Sequence, residues 1–315
     1  MLRHRLSLSG EIPPRELLCQ FDGIGLIRSE YVLRPEGHYI TTGHAQRILG
    51  AYVNAVVEVS SGQPVWYRTT EMTSQEANAL IGVDRHYTEI DFMKGRRGIR
   101  RARELPAAFE TELRVIAEIA RDHRNLHVLT PFVRDAEDFA FVVDTLDKVG
   151  WPNRFGSMVE IPSALLDAPR MITLGASNFL LGLNDLASLL TGTTRELPDM
   201  KMHPSVWWAV GELRDRVADE CEWGIAGNLR PCIVERAEHE KVPYVSEHYG
   251  ELPLLHGLDP GMLPDLDYVA RTKASTRAHV ATSEEEAMLG WAGAGVDTVL
   301  RQGRRTGSQY ADRAA

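Results

Sequence analysis

Phe179-Leu180-Leu181-Gly182-Leu183-Asn184-Asp185-Leu186 decides the fold. Phe179-Leu180-Leu181 is a short, wholly apolar run that fits a buried parallel strand, and it ends in a glycine, an amide and a carboxylate. About one strand–helix unit earlier, Ser157-Met158-Val159 ends in Glu160, followed by Ile161-Pro162. Two carboxylates at the carboxyl ends of successive buried strands can hold one hard cation. Mg²⁺ suits such oxygen ligands, with Mn²⁺ as the alternative. Taken singly, Glu160 or Asp185 reads as a solvated carboxylate or a helix cap; at matched strand ends the metal site is the better reading. A cation held this way points to an oxyanion substrate.

Outward from this pair, short apolar strands alternate with amphipathic helices. Residues 23–27, 64–67, 128–132, 156–159, 178–183 and 223–226 read as strands. Phe109, Leu113, Ile116 and Ala120 fall on one face of a helix over 109–123, and Val206, Val210, Leu213 and Val217 on another over 206–218. Strict alternation over this length predicts an α/β fold, a (β/α)₈ barrel whose chemistry collects at the strands' carboxyl ends. Residues 1–20 read as an N-terminal segment, 21–301 as the barrel and 302–315 as a polar tail.

The chain has 315 residues, is 43% hydrophobic and carries a formal net charge of −9. That balance argues against nucleic acid as a partner, since phosphate binding needs a basic face. Cys19, Cys221 and Cys232 lack metal-ligand spacing, so a reduced, cytoplasmic chain is expected. No apolar run reaches membrane-spanning length, and no signal peptide is evident.

Four arginines sit where a barrel would bring them to one mouth. Arg28 follows Gly25-Leu26-Ile27, Arg68 follows Val65-Trp66-Tyr67, Arg97 sits in Lys94-Gly95-Arg96-Arg97-Gly98, and Arg195 lies ten residues after Asp185. The guanidinium fork binds carboxylate and phosphate bidentately and stays charged. Each could instead serve a structural ion pair, the reading given to Arg96 and Arg100. Together with a divalent ion, the four imply a small ligand of several negative charges, such as phosphoenolpyruvate or an oxalate-like enolate. Asn184 taken by itself reads as a brace for its turn. His203 opens a helix, and Trp207-Trp208 reads as core or subunit interface.

In order and spacing, these segments resemble the C-terminal phosphoenolpyruvate/pyruvate-binding barrel of PEP-utilising enzymes. That barrel is shared by enzyme I of the sugar phosphotransferase system, pyruvate phosphate dikinase and phosphoenolpyruvate synthase. Asp22-Gly23-Ile24-Gly25-Leu26-Ile27-Arg28-Ser29-Glu30-Tyr31 resembles the family's opening strand, and Arg68-Thr69-Thr70-Glu71 its Arg-Thr-x-Asp segment. Gly95-Arg96-Arg97-Gly98, Thr130-Pro131-Phe132-Val133, Met158-Val159-Glu160-Ile161-Pro162, Gly182-Leu183-Asn184-Asp185-Leu186 and His203-Pro204-Ser205-Val206 resemble the motifs that follow, over roughly 21–229. The resemblance implies Glu160 and Asp185 as metal ligands, Asn184 as substrate-binding, Arg28, Arg68 and Arg97 as catalytic and substrate-binding, Arg195 as substrate-binding, and a homodimer.

The departures are as informative. A family cysteine that moves a proton at the enolate carbon is matched here by Ala226 in Trp223-Gly224-Ile225-Ala226-Gly227-Asn228-Leu229, and alanine moves no proton. His248, His256 and Cys232 are the nearby groups that could replace it, though each reads first as structural. Thr73-Ser74-Gln75-Glu76 lacks a family lysine. No upstream phosphohistidine domain is expected, nor an ATP-grasp domain in the few residues outside the barrel. The eighth strand falls near Leu254–Asp259 or within 266–272. The leading expectation is a Mg²⁺-dependent, transferase-like enzyme of phosphoenolpyruvate or a pyruvate enolate, with a separate phosphohistidine or nucleotide-binding partner. A metal-dependent 2-oxoacid carbon–carbon lyase and a ligand-binding regulatory homologue are the alternatives.

Overall fold

The computed structural model describes residues 1–83, 95–193, 198–217, 219–264 and 266. Eight strands run in sequence order: β1 (Arg3–Leu8), β2 (Ile24–Arg28), β3 (Val65–Arg68), β4 (Leu126–Thr130), β5 (Phe155–Val159), β6 (Asn178–Gly182), β7 (Glu222–Ala226) and β8 (Tyr244–His248). Each pairs parallel with the next, and β8 pairs parallel with β1, which closes the barrel.

The period of two along each strand separates two apolar layers. Leu26, Trp66, Leu129, Met158, Leu180, Ala226 and Tyr244 pack together as one cluster. Their strand neighbours, among them Ile27, Tyr67, Val159, Leu181, Ile225 and Val245, join a larger cluster with the apolar stripes of the surrounding helices. Those helices include Pro106–Ala120 and Pro204–Val217, each starting two or three residues earlier than the apolar period alone predicts, because a proline suits the first helical turn. On the second of these, Trp207 is buried and Trp208 faces solvent at 56% exposure.

Two elements differ from the sequence reading. The barrel begins at Arg3, inside the stretch 1–20 expected to precede it, and its last strand is Tyr244–His248 rather than 254–259. Leu252–His256 is instead a short helix ended by Gly257 in the left-handed conformation. Both strands were hidden by polar residues that are buried through pairing. Arg5 donates to Glu222 at 2.7 Å, Ser7 Oγ lies 2.7 Å from Ser246 Oγ, and His4 Nδ1 lies 2.8 Å from Glu247 Oε1. The expected strand over 266–272, apart from Leu266, and the bounds at 301 and 302–315 lie outside the described residues. Among the described residues, no helix is long and apolar enough to cross a membrane.

Candidate active site

β5 ends at Val159, so Glu160 leaves the strand at the barrel mouth, where it is 2% exposed. Its Oε2 accepts the backbone N–H of Phe132 at 3.0 Å. Phe132 achieves this from a left-handed backbone, φ 57°, a conformation unfavourable for a bulky residue and repaid by what it holds. Its ring also carries the Arg97 guanidinium, 4.2 Å above the centroid. Opposite, β6 ends at Gly182, and a Cβ there would lie 2.6 Å from Glu160 Cγ, so only glycine admits the carboxylate. The helix Leu183–Thr191 starts immediately, with Asn184 and the buried Asp185 in its first turn.

Glu160, Gly182, Asn184 and Asp185 line a cavity of about 100 Å³ together with Ser7, Arg28, Glu30, Arg68, Ala226 and His248. Arg68 is buried, donating to Glu30 and lying 3.2 Å from Glu71 Oε2. Arg97, also buried, donates through Nε to Glu71 Oε1 at 2.7 Å and lies 3.7 Å from Asp185 Oδ1. Arg28 is held by Ser9 and stacks on Tyr31 at 4.6 Å. The structure therefore brings Arg28, Arg68, Arg97, Glu160, Asn184 and Asp185 together; Arg195 lies outside the described residues. Arg96, by contrast, pairs with Glu104 at 2.6 Å, away from this cluster.

Sequence reasoning missed Glu30 and Glu71, which occupy two of the guanidiniums it had reserved for a ligand. Sequence proximity could not find these pairs: Glu30 lies two residues beyond Arg28 but pairs with Arg68, and Glu71 takes Arg97 as well as Arg68 three residues before it. Three guanidiniums thus meet four buried carboxylates, Glu30, Glu71, Glu160 and Asp185. Burial opposes the charge on Arg68 and Arg97, but Glu30, Glu71 and Glu160 around the first, and Glu71, Asp185 and Glu160 around the second, outweigh it and raise both above the ordinary arginine value. The excess of carboxylates falls hardest on Glu160, whose charged form its surroundings disfavour. Burial, then Asp185 and Glu71, push its carboxyl well above the usual range, against the pull of Arg68 and Arg97.

A divalent cation fits this arrangement. It would offset the surplus charge, and the donors at hand are oxygens. The Asn184 Oδ1 atom is buried without a hydrogen-bond partner, as an atom reserved for an ion or ligand would be. At the carboxyl end of β8, His248 Nδ1 accepts the Gly250 N–H at 3.0 Å, which leaves the ring proton on Nε2, 3.3 Å from Ser9 Oγ.

Residues 15–222 match the family described as PEP-utilising enzyme, PEP-binding domain. The chain belongs to that family. A phosphoenolpyruvate synthase described as probable, from Archaeoglobus fulgidus, is 30% identical over 225 residues, 66% of this chain and 29% of that protein. Its counterpart from Pyrococcus abyssi is 26% identical over 198 residues, 59% of this chain and 24% of that protein. A phosphoenolpyruvate-protein phosphotransferase from Streptomyces coelicolor is 26% identical over 197 residues, 59% of this chain and 32% of that protein. The matches thus span 24–32% of the length of these longer relatives.

Proposed function

We propose that this PEP-binding-family barrel takes phosphoenolpyruvate or the enolate of pyruvate with Mg²⁺ and works in phosphoryl transfer, the acceptor coming from a separate phosphohistidine or nucleotide-binding protein. The carrying observation is the cavity in which Glu160, Asp185 and the unpartnered Asn184 Oδ1 face Arg28 and Arg68. About 100 Å³ suits a compact three-carbon anion and is far below what a drug-sized ligand fills.

Glu160, Asp185 and Asn184 would hold the ion, which supplies charge stabilisation for carboxylate and enolate oxygens when bound. Arg28 is the guanidinium least committed to carboxylates and would take the ligand's phosphoryl or carboxylate oxygens. Arg68 and Arg97 are fixed by Glu30 and Glu71, so their charge is oriented before the ligand arrives, which is where electrostatic catalysis gains most. Ligand and ion would each strengthen the other's binding, because each offsets charge the other leaves.

A metal-dependent 2-oxoacid lyase is the second reading, favoured by Ala226. It lines the cavity at the end of β7 and can neither give nor take a proton. In thermal denaturation, phosphoenolpyruvate or oxalate with Mg²⁺ should raise Tm, by about 2.7 kcal/mol of stabilisation at a hundredfold excess over Kd. Asp185→Asn should remove that gain while leaving the fold. A gain with pyruvate and aldehydes, and none with phosphoenolpyruvate, selects the lyase. Phosphorus NMR of phosphoenolpyruvate with the protein, Mg²⁺ and candidate acceptors then reads transfer directly.

A further inference from the structure

We propose that His4, Glu247 and His256 form a second metal site, for a borderline divalent ion such as Zn²⁺, which clamps the seam where the barrel closes. The three side chains offer two imidazole nitrogens and a carboxylate oxygen, all within 4.8 Å of one another. His4 Nδ1 lies 2.8 Å from Glu247 Oε1, and His256 Nε2 lies 2.5 Å from Glu247 Oε2. Nitrogen donors select Zn²⁺ and its transition-metal neighbours over Mg²⁺, whereas the oxygen-rich cavity does the reverse.

The site is separate from the anion cavity by the alternation of the strand. Ser246 and His248 line that cavity, so Glu247 between them points to the opposite face of β8. There the carboxylate is fully buried, while the His4 and His256 side chains are 32% and 29% exposed. They border a second cavity, of about 590 Å³, that Gln20, Phe21 and Asp22 also line, which gives an ion a route in. The imidazole planes are already set. The two rings meet edge to face at 5.5 Å, and the Phe21 ring holds His256 in the same manner at 5.3 Å.

The three ligands come from β1, β8 and the short helix after it, so an ion would join residue 4 to residue 256 across the edge where β8 meets β1. On binding, each imidazole nitrogen turns its lone pair to the ion. A charged ring releases the proton it shares with the carboxylate to solvent, whereas a neutral ring keeps one proton, on its other nitrogen. Three protein ligands leave one position for water.

The test uses the full chain without a histidine tag, in saturating Mg²⁺ so that the anion cavity is filled. Calorimetric titration with Zn²⁺ should show one equivalent bound and a raised Tm, and Co²⁺ should give the visible absorption of a tetrahedral site. His4→Gln and His256→Gln, both at partly exposed positions, should keep the circular dichroism of the parent and weaken Zn²⁺ by about a hundredfold or more. Asp185→Asn should leave Zn²⁺ binding intact. If the parent takes up no Zn²⁺, or the histidine variants bind it as well as the parent does, the triad is a hydrogen-bonded clamp and the proposal falls. Loss of the Zn²⁺ equivalent in Asp185→Asn would place the ion in the anion cavity and also overturn it, without touching the Mg²⁺ reading.

Discussion

The wall formed by β5 and β6 and the closing side formed by β7, β8 and β1 are equally buried but built from opposite materials. In the wall, Met158, Val159, Phe179, Leu180 and Leu181 are apolar, and charge appears only at the mouth, as Glu160 and Asp185. On the closing side, charge and hydroxyls run along the strands themselves. Arg5 spans to Glu222 and lies 4.2 Å over the Tyr244 ring, Ser7 meets Ser246, and Glu247 takes both His4 and His256. Apolar burial tolerates no misplaced polar atom, whereas a polar seam holds only when every partner is present. The wall should therefore fail through cavities and the seam through orphaned groups.

The largest effect is expected in the wall. Phe179→Ala should cost about 3–5 kcal/mol in chemical denaturation, since it empties a fully buried ring position. A cost near that of a surface change would show the wall to be plastic. Next comes Arg5→Met on the closing side. Glu222 keeps Arg3 at 2.9 Å and Arg154 at 3.2 Å, so the loss should be about 2 kcal/mol, below the 3–5 of a wholly orphaned buried charge. Combined with Glu222→Gln, the loss should be smaller than the sum of the two singles; strict additivity would refute the pairing. Ser246→Ala should cost about 1 kcal/mol, one neutral hydrogen bond.

The finest distinction is one of pH. Burial would raise the Glu222 carboxyl, but Arg5, Arg3 and Arg154 outweigh it and hold it below the ordinary value. A depressed folded value means that the stabilisation is complete above the unfolded glutamate value, about 4.3, and is lost as pH falls through the lowered one. Tm measured from pH 6 downward should thus decline in the parent more steeply than in Glu222→Gln. Parallel curves would remove Glu222 from the acid response.

The same contrast explains what could be read in advance. Phe179-Leu180-Leu181 and Ser157-Met158-Val159 announce strands because burial on both faces demands unbroken apolar residues. Arg3-His4-Arg5 reads as surface, and becomes strand only when partners some 220 to 240 residues away arrive. Glu30 and Glu71 escaped for a related reason. A carboxylate near an arginine in sequence says nothing of whether its oxygens face that guanidinium or water.

The chain by itself determined the alternation of strands and helices, the wall, and the strand-end residues Arg28, Arg68, Glu160 and Asp185, since apolar period and strand-end position are local properties; Arg97 stood out only by its arginine-glycine context, and Asn184 by the family motif it sits in. Tertiary structure decided where the barrel starts and closes, and that Arg68 and Arg97 are already bound by Glu30 and Glu71. It also turned Glu247 away from the anion cavity towards His4 and His256. Buried polar groups are defined by their partners, and partners distant in sequence are chosen only when the fold brings them together.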